Sequence, residues 1–331
     1  MTVLSAHPRR VDGAAQLEVP KTGSLVAIGN FDGVHLGHQA VLESVFAEAR
    51  RRELAPLVLT FHPHPSEVLG RGALKQLTTL DRKVELITRL DDAVRVVVEP
   101  FDRELAALGP AEFAERLLAE HLGARLVIVG KNFRFGRDRS GDLEELCRLG
   151  GELGFEARAE SMCGDAVGTF SSTRAREALS RGDLADVMAV LGRPHSLSGT
   201  VVEGQKRGRT LGFPTANVGD VAEALPPDGV YAVLVDVEET PGRYRAVARG
   251  VMNLGVRPTF SAGRSVEAHL FDFSGDLYGR RLRLHLAGRL RDERRFDGIE
   301  ALRAQIAVDA RAARALLSTW VEDPAAGGAW A

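Results

Sequence analysis

The stretch "GNFDGVHLGHQ", Gly29–Gln39, follows directly on the apolar run Leu25-Val26-Ala27-Ile28 and decides how the first half of the chain folds. It places two histidines, His35 and His38, three residues apart among Gly29, Gly33 and Gly37. An apolar run that breaks into glycines and resumes as "HQAVLESVFAEARRREL" reads as a buried strand turning into an amphipathic helix. If "VHLGH" opens that helix, His35 and His38 stand one turn apart on one face. Gly29 and Gly33 let the backbone turn tightly, with Asn30 and Phe31 between them, and the first helical N–H groups point at whatever lies beyond. A helix N-terminus behind a glycine-rich turn suits an anion by geometry and by dipole. Two imidazoles there would donate hydrogen bonds to a phosphate whose charge changes as it reacts. Zinc is an alternative, since His62 and His64 of "TFHPHP" close the next strand. A purely structural histidine pair is the third reading.

Outward from this stretch, Leu57–Phe61, Val94–Val98 and Leu126–Val129 are further near-continuous apolar runs. Amphipathic segments such as "PAEFAERLLAEHL" separate them. Unbroken apolar strands alternating with helices predict βαβ units and a parallel sheet covered on both faces. In such sheets ligands bind beyond the carboxyl ends of the strands, where the two histidines sit. From "LSRGDLADVMAVLGRPHSLSG" the rhythm changes. A helical stretch broken at Arg181-Gly182-Asp183 gives way to alternating segments: "SLSGTVVEG", "GVYAVLVDV", "YRAVARGVM", "SVEAHLFDF" and "RRLRLHLAG". Their spacing suits an antiparallel barrel or sandwich. A helix from about Ile299 to Leu317 closes the chain, and the tail "EDPAAGGAW" reads as flexible. The expected division is residues 1–185 and 186–331.

The chain of 331 residues is long enough for two such domains. A formal net charge of −2 gives no general pull on nucleic acid. No apolar run reaches the ~18 residues that a membrane crossing needs, so no membrane partner is expected. The N-terminus lacks an apolar signal core, and the two cysteines, Cys147 and Cys163, build no disulfide framework. A cytoplasmic protein is the expectation.

Two further fragments carry chemistry. In "FSSTRAREAL", Phe170–Leu179, Ser171, Ser172 and Thr173 form an N-terminal capping sequence, yet Arg174 and Arg176 oppose the helix dipole. An anion bound at that helix start would resolve the conflict. In "GRTLGFPTAN", Gly208–Asn217, a loop with Gly208, Arg209 and Gly212 leads to Thr215 and Asn217. On an extended segment those two side chains face one way, and their neutral oxygens suit Mg²⁺. The GK[ST] ending of a Walker loop is missing, and a basic surface turn is the plain alternative. In "RSVEAHLFDF", Glu267 and His269 alternate with Val266, Ala268 and Leu270, which puts the carboxylate on the polar face of a strand.

Together "IGNFDGVHLGHQ", "TFHPHP", "VGKNFRFG" and "SSTRAREAL" resemble the adenylyltransferase module of prokaryotic bifunctional riboflavin kinase/FAD synthetases. "LGFPTAN", followed by "GVMNLGVRPTF", "SVEAHLFDFSGDLYG" and "LRDERRFDGIEAL", resembles the riboflavin kinase module of the same family. The resemblance implies an α/β nucleotidyltransferase domain with a Rossmann-like parallel sheet, then a six-stranded antiparallel β-barrel and a terminal helix. It implies that ATP phosphorylates riboflavin to FMN and that FMN is then adenylylated to FAD with release of pyrophosphate; the alternatives are a chain with only one module active, or a flavin- or nucleotide-binding regulator without catalysis. His35 and His38 would stabilise the α-phosphate, with Asn132 near the nucleotide and Ser171, Ser172, Thr173 and Arg174 near the phosphates. Thr215 and Asn217 would hold the Mg²⁺, and Glu267 would be the general base. The expected partners are small molecules only, with a weak homo-oligomer left open. The chain departs from the family pattern at His62, at Lys131-Asn132 and at Gln205.

Overall fold

The computed structural model describes residues 7–70, 72, 75–161, 163–204, 212–256, 264–322 and 330. They form two compact units. One holds residues 7–72 with Leu80–Ser171, the other Lys75–Thr79 with the residues from Ser172 onward.

In the first unit six parallel strands lie in the order β1-β4-β3-β2-β5-β6. The central four are the expected ones: β2 Ser24–Ile28, β3 Ala55–His62, β4 Arg95–Pro100 and β5 Ala124–Gly130. Successive residues point to opposite faces. Val26, Ile28, Leu57, Leu59, Val127 and Val129 enter one core cluster, and Leu25, Ala27, Val58, Val96, Leu126 and Ile128 the other. That is why the runs are unbroken in sequence. Each such side chain taken fully out of water contributes roughly 1.5–3 kcal/mol. Two edge strands escape the sequence reading, β1 Arg10–Asp12 ("RVD") and β6 Glu156–Glu160 ("EARAE"). Short polar edge strands carry no apolar signature; pairing with β4 and β5 makes them strands.

The helix Leu36–Arg51 buries Leu42, Val45, Phe46 and Ala49 on one face of the sheet. On the other face the expected helix "PAEFAERLLAEHL" starts with Pro110 at its N-terminus and continues as a π-helix over Phe113–His121. Its wider turn is visible where Leu122 N–H donates to Leu117 O at 3.1 Å, five residues back. Strand order runs outward from β2 through β3 to β4, then returns to place β5 on the other side of β2. The crevice beyond β2 and β5 is therefore the switch point of the sheet, the usual place for a ligand.

The second unit begins with helices Ser172–Arg181 and Leu184–Leu191. They part at Gly182, which adopts φ 74°, and Asp183 caps the second helix by accepting from Asp186 N–H at 3.0 Å. The second helix packs on the barrel, so the compact units divide at Ser171/Ser172, upstream of residue 185. The barrel is closed, in the order β10-β11-β8-β7-β12-β9, and every pairing is antiparallel. Its strands are β7 Ser196–Val202, β8 Ala216–Gly219, β9 Gly229–Thr240, β10 Arg243–Val256, β11 Arg264–Leu270 and β12 Arg281–Arg291. The "PTAN" segment thus runs into β8, which "ANVG" alone does not announce.

The closing helix Ile299–Leu317 spans the expected residues. Its Ala313 and Leu317 cover Ala232 and Leu234 of β9, together with Phe271 and Trp330. Covered on this side as well as inside the barrel, β9 is buried from Gly229 to Val237. Gln205, Lys206, Arg207, Gly208 and Arg209 lie outside the described residues, as does most of the tail expected to be flexible.

Candidate functional sites

The turn between β2 and the helix Leu36–Arg51 is tightly wound. Phe31, Gly33 and Val34 have φ of 47°, 80° and 38°, left-handed values that cost energy for Phe and Val. Both side chains are anchored in the core, which holds the turn in place. Gly29 makes room: a Cβ there would stand 3.0 Å from the Phe31 ring. His35 caps the helix, its Nδ1 accepting from the His38 backbone N–H at 3.3 Å. A neutral His35 therefore carries its proton on Nε2. The two imidazoles stack at 3.6 Å between centroids with planes 21° apart, and Phe31 meets His38 edge-on at 5.2 Å. The expected shared face is thus a direct stack.

Burial pushes the His38 pKa well below the usual imidazole value, and the charges of His35 and Lys83 push it the same way. His38 is neutral at pH 7, and its buried Nδ1 has no hydrogen-bond partner among the described residues. Lys83, on the helix Leu80–Leu90, went unremarked in the sequence. It is 4% exposed, and burial lowers its amine to about 8 against the opposing pull of Asp32. A signal was there: Leu80, Val84 and Ile87 form the apolar stripe of "LDRKVELI", and Lys83 falls on its edge.

The zinc set does not assemble. His64 instead caps the short helix Pro65–Val68, its Nδ1 2.8 Å from Ser66 Oγ. Among the described residues no three His, Cys, Asp or Glu side chains converge as a metal group. Asn132 sits exposed in the turn after β5, closed by Phe133 N–H donating to Gly130 O at 2.9 Å. The strand it follows, β5, pairs with β2, which leads into Gly29, Asn30, Phe31 and Gly33. Ser171 ends the first unit; Ser172, Thr173 and Arg174 belong to the second. Arg174 is engaged by Asp186, Nη2 to Oδ1 at 2.6 Å. Part of the charge conflict at that helix start is therefore met within the protein.

In the barrel, strand register builds the second site. Glu267 of β11 pairs with Asn217 of β8 on one side and Asn253 of β10 on the other, so one row carries amide, carboxylate and amide. Along β11 Val266, Ala268 and Leu270 are buried while Glu267 and His269 are partly exposed. His269 Nδ1 donates to Pro214 O at 2.8 Å and ties down the segment before Thr215. Gly204 lies so close to Asn217 that a Cβ would come within 2.1 Å of its Nδ2. Two cavities meet at Thr215. One, of about 310 Å³, is lined by Phe213, Thr215, Asn253, Glu267, Phe296 and Ile306. The other, of about 340 Å³, is lined by Thr215, Ala216, Ala268, Leu270, Phe273 and Tyr278. Gly212 is exposed with φ 82°. Asn253 was missed because a single Asn inside "YRAVARGVMNL" gains meaning only from its neighbour across the ladder.

The chain matches two family models in order: FAD synthetase over residues 18–174 and riboflavin kinase over 191–317. It is 40% identical over 300 residues to a bifunctional riboflavin kinase/FMN adenylyltransferase of Escherichia coli K12, covering 90% of this chain and 94% of that one. To the proteins of that name from Pseudomonas fluorescens and Bacillus subtilis it is 39% and 36% identical, over 92% and 93% of its length and 97% and 95% of theirs. A crystal structure described as a macrolide-efflux protein from Streptococcus pneumoniae superposes with a TM-score of 0.78 at 27% identity, over 94% of this chain and 99% of that one. Among the described residues no helix is long and apolar enough to cross a membrane. With a six-stranded parallel sheet followed by a closed six-stranded barrel, with both family models matched in order and relatives matched almost end to end, this chain belongs to the bifunctional riboflavin kinase/FMN adenylyltransferase family.

Proposed function

We propose that the two reactions of the family divide over the two sites as follows. At the switch crevice FMN is adenylylated to FAD: a phosphate oxygen of FMN attacks the α-phosphorus of ATP and pyrophosphate leaves. His38 acts as a neutral donor to the α-phosphate rather than as an acid, which agrees with its depressed pKa, and His35 donates beside it. Gly29, Asn30, Phe31 and Gly33 shape the turn that receives the phosphates, and Asn132 binds the nucleotide. Ser171, Ser172, Thr173 and Arg174 are assigned to the phosphates on their sequence motif. FMN needs little activation, because its phosphate is already anionic at neutral pH. Alignment and charge neutralisation supply the acceleration.

At the barrel ATP phosphorylates riboflavin. Glu267 takes the proton of the 5′-hydroxyl as its oxygen bonds to the γ-phosphorus, and the bond from that phosphorus to the bridging oxygen breaks to release ADP. The observation that carries this is the row Asn217–Glu267–Asn253 beside Thr215, where two cavities meet. One cavity suits the flavin and the other the nucleotide, and Gly208, Arg209 and Gly212 are assigned to the ATP phosphates on their sequence motif. The hydroxyl of Thr215 and the amide oxygen of Asn217 are hard donors of the kind Mg²⁺ takes, with Glu267 close by. When bound, Mg²⁺ neutralises phosphate charge. On this reading the functional division runs between residues 1–185 and 186–331, in a cytoplasmic enzyme whose substrates are small molecules, with a weak homo-oligomer left open.

The test is to incubate the protein with riboflavin, ATP and Mg²⁺ and to separate the flavins over time. His35→Ala or His38→Ala lowers FAD formation by about 10²–10³, the usual cost of one preorganised donor, and leaves FMN formation intact. Glu267→Ala abolishes FMN formation while added FMN is still converted to FAD. An unchanged FAD rate in His38→Ala overturns the assignment of the first site. Unchanged FMN formation in Glu267→Ala overturns that of the second.

A further inference from the structure

The cavity of about 310 Å³ beside Glu267 has an unusual piece of wall. Phe213, Val230, Val251, Phe296, Leu302 and Ile306 give it an apolar side, and Arg291 and Asp309 stand among its polar residues. Arg291 is the last residue of β12, and Asp309 lies on the helix Ile299–Leu317 and is 5% exposed. The guanidinium grips the carboxylate along one edge: Nε stands 3.1 and 3.0 Å from the two oxygens, and Nη2 2.8 Å from Oδ2. Gln305 Nε2 adds a bond to Oδ1 at 2.6 Å, and Arg291 Nη1 donates to Asp292 O at 2.9 Å. Both carboxylate oxygens are therefore occupied, so Asp309 is no candidate base.

A buried ion pair contributes little net stability over apolar packing, but a bidentate one fixes angles. What this pair fixes is the strand end, the helix and the connection between them, which carries Phe296. The Phe296 ring lines the same cavity, with the guanidinium carbons of Arg291 and Arg294 5.6 and 4.9 Å from its centroid. A ring held against two cations presents a defined face to a planar aromatic ligand.

We propose that Asp309 is a positioning residue for the kinase reaction, holding Arg291 and through it Phe296 as the aromatic wall on which the flavin ring stacks. The proposal rests on the reading of this cavity as the flavin site. A purely structural ion pair would change the melting temperature and leave riboflavin binding alone; a positioning pair changes riboflavin binding first.

The experiment uses the full-length protein. Riboflavin binding is titrated by flavin fluorescence without ATP, and kcat and KM are measured for FMN formation. In Asp309→Asn the riboflavin Kd and KM rise roughly tenfold, the weight of one aromatic stacking contact. The kcat at saturating riboflavin, the KM for ATP and the conversion of added FMN to FAD stay as in the parent protein, and Asp309→Glu recovers part of the affinity. Phe296→Leu, which leaves the ion pair intact, raises the riboflavin Kd similarly without lowering the melting temperature. If Asp309→Asn fails to fold, Phe296→Leu decides alone. An unchanged riboflavin Kd in Phe296→Leu, or a lowered kcat with unchanged Kd in Asp309→Asn, overturns the proposal. Glu267→Ala separates the two failures: FMN still formed by that variant means that the cavity is not the kinase site. An inactive Glu267→Ala beside unchanged Kd values in the other variants means that only the clamp is wrong.

Discussion

At the scale of single residues, the first site is a study in where charge is kept. His35 and His38 stack in a buried turn that holds the second ring neutral, and the cation behind them is Lys83. A lysine amine lowered to about 8 changes charge within a range that an assay can cover. If its charge helps to offset the ATP phosphates, kcat/KM for ATP in FAD formation falls as pH rises through about 8, since that ratio reports the free enzyme. Lys83→Arg keeps its charge at high pH and removes the fall. FMN formation by the same protein serves as the internal control. A wild-type profile that stays flat from pH 7 to about 9.5, well above the usual onset of such a titration, would place the amine outside the ATP interaction. Residue types and spacing made the pair His35 and His38 stand out as a candidate site, whereas Glu267 stood out only through the family resemblance. Lys83 stayed hidden because a lysine on a helix is normally solvated, and only tertiary packing buries it.

At the scale of elements, the kinase row depends on two pairings. Asn217 reaches Glu267 through β8–β11, and the end of β7 lies against Asn217 through Gly204. No side chain fits at Gly204 without displacing the Asn217 amide. Gly204→Ala therefore weakens Mg²⁺ use: the Mg²⁺ concentration for half-maximal FMN formation rises about three- to tenfold, on the order of the loss of one hydrogen-bond-strength contact. Activity returns at high Mg²⁺, and FAD formation from added FMN is untouched. A lowered kcat that no Mg²⁺ concentration restores would mean that the glycine serves the strand and not the metal. The long apolar strands β2 to β5 were legible because both faces are buried. The edge strands β1 and β6 and the four-residue β8 were not, because pairing and not composition defines them.

For the whole molecule, the barrel unit has its own core and, on the proposed division, the kinase site, so it should work alone. It begins at Ser172 and includes the helices Ser172–Arg181 and Leu184–Leu191, the second of which packs on β12. A fragment from Ser172 to Ala331 is expected to convert riboflavin to FMN. It lacks Lys75–Thr79, whose Gln76 O accepts from Ala224 N–H at 2.7 Å in this unit. The fragment should consequently melt a few degrees below the intact protein, as one or two lost hydrogen bonds of about 1 kcal/mol each imply. Enzyme assay and thermal unfolding check both statements. A folded but inactive fragment would show that the kinase needs the first unit for chemistry; an insoluble one, that it needs it for folding.

The sequence by itself determined the class of each half and the strands and helices with strong periodicity, and it marked candidate residues for the chemistry, whose roles came from the family resemblance. Hydrophobic patterning and glycine-histidine spacing are local properties, and local physics suffices to read them. Only the tertiary structure decided what those residues face. The His35–His38 stack, the burial of Lys83, the row Asn217–Glu267–Asn253 and the grip of Asp309 on Arg291 join residues brought together by packing and strand register. Arg174 shows the difference most plainly. From the sequence its charge at a helix start asks for an anion, but twelve positions along the chain Asp186 folds back to meet it.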